Sequence, residues 1–282
     1  MNTHFLELTD GRIAYQSFGP DDGPLIVCVN GLGDNSSTFR LLAPELAAAG
    51  YRVAAMDVRG YGRSSVHWPS YDCAAVGGDI LALIRLLGGQ ATVIGHSIGC
   101  AGAVWAAAQA PDEVTGLVLI GTFASGSRPK AWMRAASWLV TRTPGLWAMF
   151  YRSLFPTAKP ADFTRAVAAV KANLAEPGRM EALRAQTAES LAGPAVRYDE
   201  VRCPVLIVTG TKDPDMADPA AEARRASEQL SGAPTTIAMI EDSGHYPHLD
   251  RVEPTKESVL NFLAESRRPD GSRYEATGQV PA

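Results

Sequence analysis

The chain has 282 residues, of which 46% are apolar and 20% charged, with a net charge of −4. It is too long and too apolar to be disordered, and its negative charge gives no electrostatic reason to hold nucleic acid. Its four cysteines, Cys28, Cys73, Cys100 and Cys203, form no C-x-x-C pair, which argues against both a disulfide framework and a cysteine-ligated zinc site.

The opening stretch MNTHFLELTDGRIAY lacks a basic segment followed by an apolar one, so it does not read as a secretory signal and a cytoplasmic location is expected. Two short alternating runs, Phe5 to Leu8 and Ile13 to Phe18, flank Asp10-Gly11 and predict a β-hairpin. The pattern then changes to continuous apolar runs at Leu25 to Val29, Val53 to Met56, Thr92 to Ile94, Leu117 to Ile120, Val205 to Val208 and Ile237 to Ile240. Runs of this kind mark strands buried on both faces of a parallel sheet. Helical segments separate them: Thr38 to Ala49, Asp72 to Leu87, Ile98 to Gln109, Pro219 to Leu230 and Pro254 to Ala264. The alternation predicts an α/β fold with a doubly wound, mostly parallel eight-stranded sheet.

From Phe123 to Arg202 there is no credible strand, and this stretch holds three of the five tryptophans, Trp132, Trp138 and Trp147. It predicts a helical cap over 123–202 inserted into a core of 1–122 and 203–266, followed by a flexible tail over 267–282. Arg134, Arg142, Pro144 and Arg152 interrupt its apolar residues, so no membrane span is expected.

Gly95-His96-Ser97-Ile98-Gly99 sits between the strand Thr92 to Ile94 and the helix opening at Ile98. This is G-x-S-x-G in its required context, strand, sharp turn, helix. The turn lifts the Ser97 hydroxyl above the sheet, and the N–H of Ile98 at the helix start can hold a developing oxyanion. A serine hydroxyl needs a base. Of the five histidines, His245 lies in a glycine-flanked loop beyond a strand end, where an α/β sheet keeps its site. His248 reads as a capping or packing residue, and His96 as pointing away from Ser97. The imidazole needs a carboxylate partner. Asp213, three residues after Gly210, is the candidate, with Asp215 and Asp218 as competitors. The chain order Ser97, Asp213, His245 suits this architecture. A second oxyanion donor is expected from Leu32 N–H in the loop Asn30-Gly31-Leu32-Gly33, where Gly31 lets a substrate approach closely.

Together Asn30 to Gly33, Asp57-Val58-Arg59-Gly60-Tyr61-Gly62-Arg63-Ser64, Gly95 to Gly99, Gly210 to Asp213 and Gly244-His245 resemble the α/β-hydrolase fold superfamily, in particular its capped serine esterase-like members. In that family the stretch Asp57 to Ser64 is a structural turn, here read as pinned by pairing of Arg59 with Asp57. Two positions depart from the family pattern. Asn30 stands where histidine is usual, a feature shared with enol-lactone hydrolases, and Cys100 stands where glycine is common and reads as a packing residue. The resemblance implies a serine hydrolase acting on a carboxylic ester or lactone of a small hydrophobic substrate, with no metal or organic cofactor. Asn30, Gly31, Trp132, Trp138 and Trp147 are the candidate substrate contacts. Arg134 and Arg152 read as the cap's solvated face, with a carboxylate-bearing substrate as the other possibility. Three alternatives stay open: carbon–carbon bond hydrolysis of ring-cleavage products or enol-lactone hydrolysis with the same three residues, a slow-turnover ligand sensor of the same fold, and acyl transfer to an acceptor alcohol. Oligomeric state is not legible.

Overall fold

The computed structural model describes residues 3–124, 137–192 and 196–266. Its strands are β1 (Thr3–Leu8), β2 (Gly11–Phe18), β3 (Leu25–Val29), β4 (Arg52–Met56), β5 (Ala91–His96), β6 (Val114–Ile120), β7 (Val205–Gly210) and β8 (Thr235–Ile240). They form one eight-stranded sheet in the order β1-β2-β4-β3-β5-β6-β7-β8. β1 and β2 make the expected antiparallel hairpin, β2 runs antiparallel to β4, and every later pairing is parallel. Parallel neighbours need crossovers, and the helices supply them: α1 (Leu42–Ala48), α2 (Cys73–Leu87), α3 (Ile98–Gln109) and α7 (Pro219–Gln229), with α8 (Pro247–Asp250) and α9 (Val252–Glu265) closing the described chain.

The continuous apolar runs are explained by burial on both faces. Successive side chains of a strand point to opposite faces. Val27 and Val29 of β3 therefore join a core with α2 and α3, while Ile26 and Cys28 join a second core with Phe39, α1 and α9. Every residue of β3 is buried.

Between β6 and β7 lie a helical turn at 137–140 and the helices α4 (Pro144–Ser153), α5 (Phe163–Leu174) and α6 (Arg179–Ala192). α4 begins with Pro144 at its first turn and with the Thr143 hydroxyl accepting from Leu146 N–H, so its start is fixed by local chemistry. α5 buries Phe163, Val167, Val170 and Leu174, a single helical stripe. These residues, with Trp147, Tyr151 and Phe155, belong to the same apolar core as α2 and α3.

One predicted helix divides and another starts early. The segment expected over Thr38 to Ala49 is a short turn, Ser36–Phe39, capped by the Asn35 side chain, and then α1. The Asp57 carboxylate takes Ser36 N–H at 2.7 Å and ties that turn to the loop after β4. A fresh helix then starts at Leu42, with Pro44 in its first turn, where proline is tolerated. The final helix begins two residues earlier than expected and is preceded by the separate turn α8. Among the described residues no helix is long and apolar enough to cross a membrane.

Candidate active site

The winding of the sheet reverses between β3 and β5: β4 lies on one side of β3 and β5 on the other. The loops leaving these two strands flank the crevice that a doubly wound sheet opens at such a point. One carries Asn30 to Gly33, the other Ser97.

Ser97 has φ 53° and ψ −122°, a left-handed conformation for a residue with a side chain. That conformation costs on the order of 1–3 kcal/mol and persists only where the surroundings enforce it. Here they do. Ser97 N–H donates to Ile120 O at 2.8 Å, and Ser97 O accepts from Cys100 N–H at 3.0 Å. A methyl group at Gly95 would fall 2.8 Å from the Cys100 backbone, and one at Gly99 would fall 2.7 Å from both Val29 O and Asn30 O. The two glycines of the motif are thus demanded by close backbone approach. The Ser97 hydroxyl makes no capping bond to α3, and Ile98 supplies the first N–H of that helix.

The β3 loop passes directly beside this turn. A methyl group at Gly31 would lie 3.1 Å from Ser97 Cβ, so the backbone of Gly31 borders the serine. Asn30, expected to touch substrate, has a different role. Its amide nitrogen donates to Gly31 O (2.9 Å) and Asp34 O (3.0 Å), and its oxygen accepts from Val58 N–H (2.9 Å). The fully buried side chain is spent on shaping the loop that follows β3.

Asp213 and His245 meet as the sequence suggests: Asp213 Oδ2 and His245 Nδ1 are 2.7 Å apart, and both side chains are buried. A carboxylate acceptor at Nδ1 keeps the proton there and leaves Nε2 as the free base. Of the competing carboxylates, that of Asp218 is engaged elsewhere, whereas that of Asp215 stays close enough for its charge to act on His245. Asp218 caps α7 by accepting from Ala221 N–H, and Asp215 contributes its backbone N–H to Asp213 Oδ1 at 2.9 Å. Burial by itself opposes the charged form of His245, but the charge and hydrogen bond of Asp213, and then the charge of Asp215, outweigh it and raise the pKa above 6.5.

The loop carrying His245 is held from several sides. Asp250 of α8 accepts from Ser243 Oγ (2.5 Å) and Gly244 N–H (2.8 Å). His245 N–H donates to Leu154 O at the end of α4 (3.0 Å), and His245 O lies 3.0 Å from His96 Nε2. His248 Nε2 lies 3.0 Å from Thr38 Oγ1. Burial lowers the His248 pKa to about 3, so it is neutral and packs, as expected. Cys100 Sγ donates to Gly95 O, and burial pushes the thiol up to about 12, which suits the packing role.

The turn after β4 corrects one pairing. Arg59 does not pair with Asp57. It forms a bidentate bond with Asp79 of α2, at 2.8 and 2.7 Å, and lies over the Trp68 ring. Asp57 instead accepts the N–H groups of Ser36 and Arg63. Its carboxylate fits there because Gly62 has no side chain: a methyl at Gly62 would overlap it.

The three tryptophans fare differently. Trp147 is buried and lies on Gly33, where a methyl group would come within 2.5 Å of the indole ring. Trp138, expected to line a pocket, is 59% exposed and lies under the Arg142 guanidinium at 3.8 Å; its ring faces outward. Trp132 and Arg134 lie outside the described residues. Arg152 sits over the Phe163 ring at 5.8 Å.

Sequence reasoning missed Asp250, the Leu154 carbonyl, the bond made by His96, and Asp34. Burial raises the Asp34 carboxyl to about 6. None of these carries a motif. A backbone carbonyl has no residue signature, and an aspartate in a loop reads as a surface cap until the fold encloses it.

Known proteins agree with this architecture. A model of the alpha/beta hydrolase family matches residues 26–257. The chain is 30% identical over 266 residues to 2-(acetamidomethylene)succinate hydrolase of Mesorhizobium japonicum, covering 90% of this chain and 92% of that protein. It is 29% identical over 215 residues to 3-oxoadipate enol-lactonase 2 of Acinetobacter baylyi, covering 74% and 79%. Among solved structures, a hydrolase from Pseudomonas aeruginosa PA01 superposes with a TM-score of 0.76 at 25% identity, covering 93% of this chain and 98% of that one. The chain belongs to the alpha/beta hydrolase family, and hydrolysis is the class of reaction its relatives support.

Proposed function

We propose that the protein is a serine hydrolase that cleaves a carboxylic ester or lactone of a small, largely apolar substrate. The observation that carries this reading is the buried 2.7 Å hydrogen bond that Asp213 Oδ2 accepts from His245 Nδ1, together with a serine held at positive φ between strand and helix. In the reaction, His245 Nε2 takes the Ser97 hydroxyl proton as Oγ attacks the carbonyl carbon. The negative oxygen of the tetrahedral intermediate accepts from Leu32 and Ile98 N–H, each such donor being worth about 3–4 kcal/mol in other enzymes. The intermediate collapses, the imidazolium gives its proton to the leaving alkoxide, and an acyl-Ser97 ester remains. Water then attacks that ester with His245 again accepting a proton, and the acid and free Ser97 are released. Asp213 holds the imidazole in one tautomer throughout.

The apolar substrate is our reading of the aromatic residues packed around the site. Trp147 lies on Gly33, and Tyr151, Phe155 and Tyr246 form an aromatic group whose ring centroids lie 4.8–5.4 Å apart. This supports an apolar acyl or alcohol group and a capping role for the helices over 137–192. The lactone form of the reading is supported by the enol-lactonase relative and by Asn30 in the β3 loop.

The test is Ser97→Ala assayed on p-nitrophenyl esters of two to eight carbons and on simple lactones. Loss of hydrolysis with an unchanged circular dichroism spectrum is expected, together with loss of covalent labelling by a fluorophosphonate. Undiminished hydrolysis by Ser97→Ala would remove the assignment.

A further inference from the structure

His96 is the last residue of β5, immediately before Ser97, and its side chain is fully buried. The chemistry above does not use it, and as the variable position of G-x-S-x-G it carries no motif of its own. Its ring nevertheless lies between the β3 loop and the loop of His245. Nε2 lies 3.0 Å from the carbonyl oxygen of His245. The opposite nitrogen, Nδ1, faces Gly31, where a methyl group would come within 2.8 Å of it. The ring centroid is 5.0 Å from that of His245, 4.3 Å from Tyr246 and 4.8 Å from His248.

Hydrogen-bond chemistry fixes its state. A carbonyl oxygen only accepts, so His96 Nε2 must carry the proton. A neutral imidazole has one such proton, which leaves Nδ1 bare, and Nδ1 has no hydrogen-bond partner among the described residues. The neighbours facing the ring are His245 and His248, both imidazoles, and Tyr246. Burial first, and then these two imidazoles, hold the His96 pKa well below 6.5. It is therefore a neutral donor with a single tautomer across the working range of a hydrolase.

The bond matters because of where it falls. The His245 peptide is gripped at both ends: its N–H by Leu154 O from the inserted helices, and its C=O by His96 from the sheet. The sheet-side grip comes from the residue covalently joined to the nucleophile. Without it, a buried carbonyl loses its donor and the base loop is free to follow the inserted helices.

We propose that His96 is a positioning residue whose Nε2–H, donated to the His245 carbonyl, sets the distance between Ser97 and the His245 ring. This rests on the reading of His245 as the base.

Two experiments test it. The first is imidazole nitrogen NMR on the wild-type protein, which needs no variant to fold. From pH 5.5 to 9, His96 is expected to show a protonated Nε2 and a bare Nδ1 without titration. A proton on Nδ1, or titration within that range, overturns the proposal. The second compares His96→Phe, which keeps the ring and loses the donor, with His96→Gln, whose amide can donate. On a p-nitrophenyl ester, His96→Phe is expected to lower kcat at least tenfold with KM within twofold, and His96→Gln to recover most of that loss. Wild-type kcat in His96→Phe overturns the proposal, as does a His96→Gln no better than His96→Phe, which would mean that shape and not donation matters. His245→Ala separates the two levels. If it stays active, the base assignment fails; if it is inactive while His96→Phe is fully active, only the role of His96 fails.

Discussion

The site has two sides, and they are built in different ways. On the sheet side, hydrogen bonds leave each reacting group little freedom. The Asn30 amide makes three bonds to backbone, Asp213 is bonded at both carboxylate oxygens, and Ser97 is fixed at its N–H and C=O. On the side of the inserted helices the contacts are mostly rings: Trp147 on Gly33, Phe155 stacked on Tyr246, Tyr151 against both. Polar anchors exist there too: Leu154 O accepts His245 N–H at 3.0 Å, and farther out Arg40 meets Asp162 at 2.6 Å and Arg179 meets Ser64 O at 2.6 Å. Directional bonds fix atoms to a few tenths of an ångström, as proton transfer demands, while apolar packing tolerates exchange of shape. Under the proposed function, the difference would give chemistry to the sheet and selection to the inserted helices.

The sharpest way to break that assignment is at Asp213. Asp213→Asn keeps the size of the side chain but lets an amide N–H face Nδ1, which favours the wrong histidine tautomer. The expected outcome is a fall in kcat on the order of 10⁴, the size seen for the same change in a serine protease, with KM little changed. A loss below tenfold would mean that Asp215, two residues away, supplies the carboxylate instead.

A smaller effect is expected from pH. The pKa of His245 is raised above 6.5, and the base must be neutral to act. Activity should therefore fall on the acid side with a midpoint above 6.5, by about tenfold per pH unit beyond it. Stability from the same group runs the other way. A raised folded pKa means that the Asp213–His245 pair favours the protonated folded state. That contribution is fully present below 6.5 and is lost as pH rises through the folded value. Asp34, raised to about 6 from 3.8, adds in the same sense, because ionising it costs folding energy as pH rises between those values. Acid should thus inactivate well before it unfolds, which thermal melts run beside rate measurements from pH 5 to 8 would show. Parallel loss of rate and melting temperature in that range would contradict the assignment.

The same contrast governs what the sequence reveals. The sheet side was legible because backbone constraint leaves residue signatures. Gly95 and Gly99 are glycines since Cys100 and Val29 backbone atoms lie where a methyl would go, and β3 is uniformly apolar since both faces are covered. The partner of Arg59 was misjudged because Asp57 and Asp79 are equivalent on paper. Only the packing of α2 against the turn brings Asp79 to it. Asn30 was misjudged for a related reason: an amide beside an oxyanion loop reads as a ligand contact until its three bonds are traced. On the inserted side, composition announced aromatic helices but not orientation. Trp138 and Trp147 are alike in sequence and opposite in burial, since which face of a helix meets the sheet depends on distant residues.

That pair supplies the finest test. Trp147 lies on Gly33, one residue beyond the proposed oxyanion donor Leu32, and it is buried. Trp147→Ala should cost about 3–5 kcal/mol of stability and loosen the β3 loop, lowering kcat/KM roughly tenfold, as a displaced oxyanion donor would. Trp138 is 59% exposed, and its main partner is the Arg142 guanidinium. An exposed cation–π contact is worth only about 0.5–1 kcal/mol. Trp138→Ala should therefore leave kcat and KM of a short ester within twofold and shift the melting temperature by a few degrees at most. Both variants share the loss of an indole, so the comparison isolates position from chemistry. If Trp138→Ala raised KM more than Trp147→Ala, substrate would be meeting the outer surface of the inserted helices. Selection would then lie in the exposed group of Trp138, Leu139 and Met149, and the buried aromatic rings would serve only to seat those helices on the sheet.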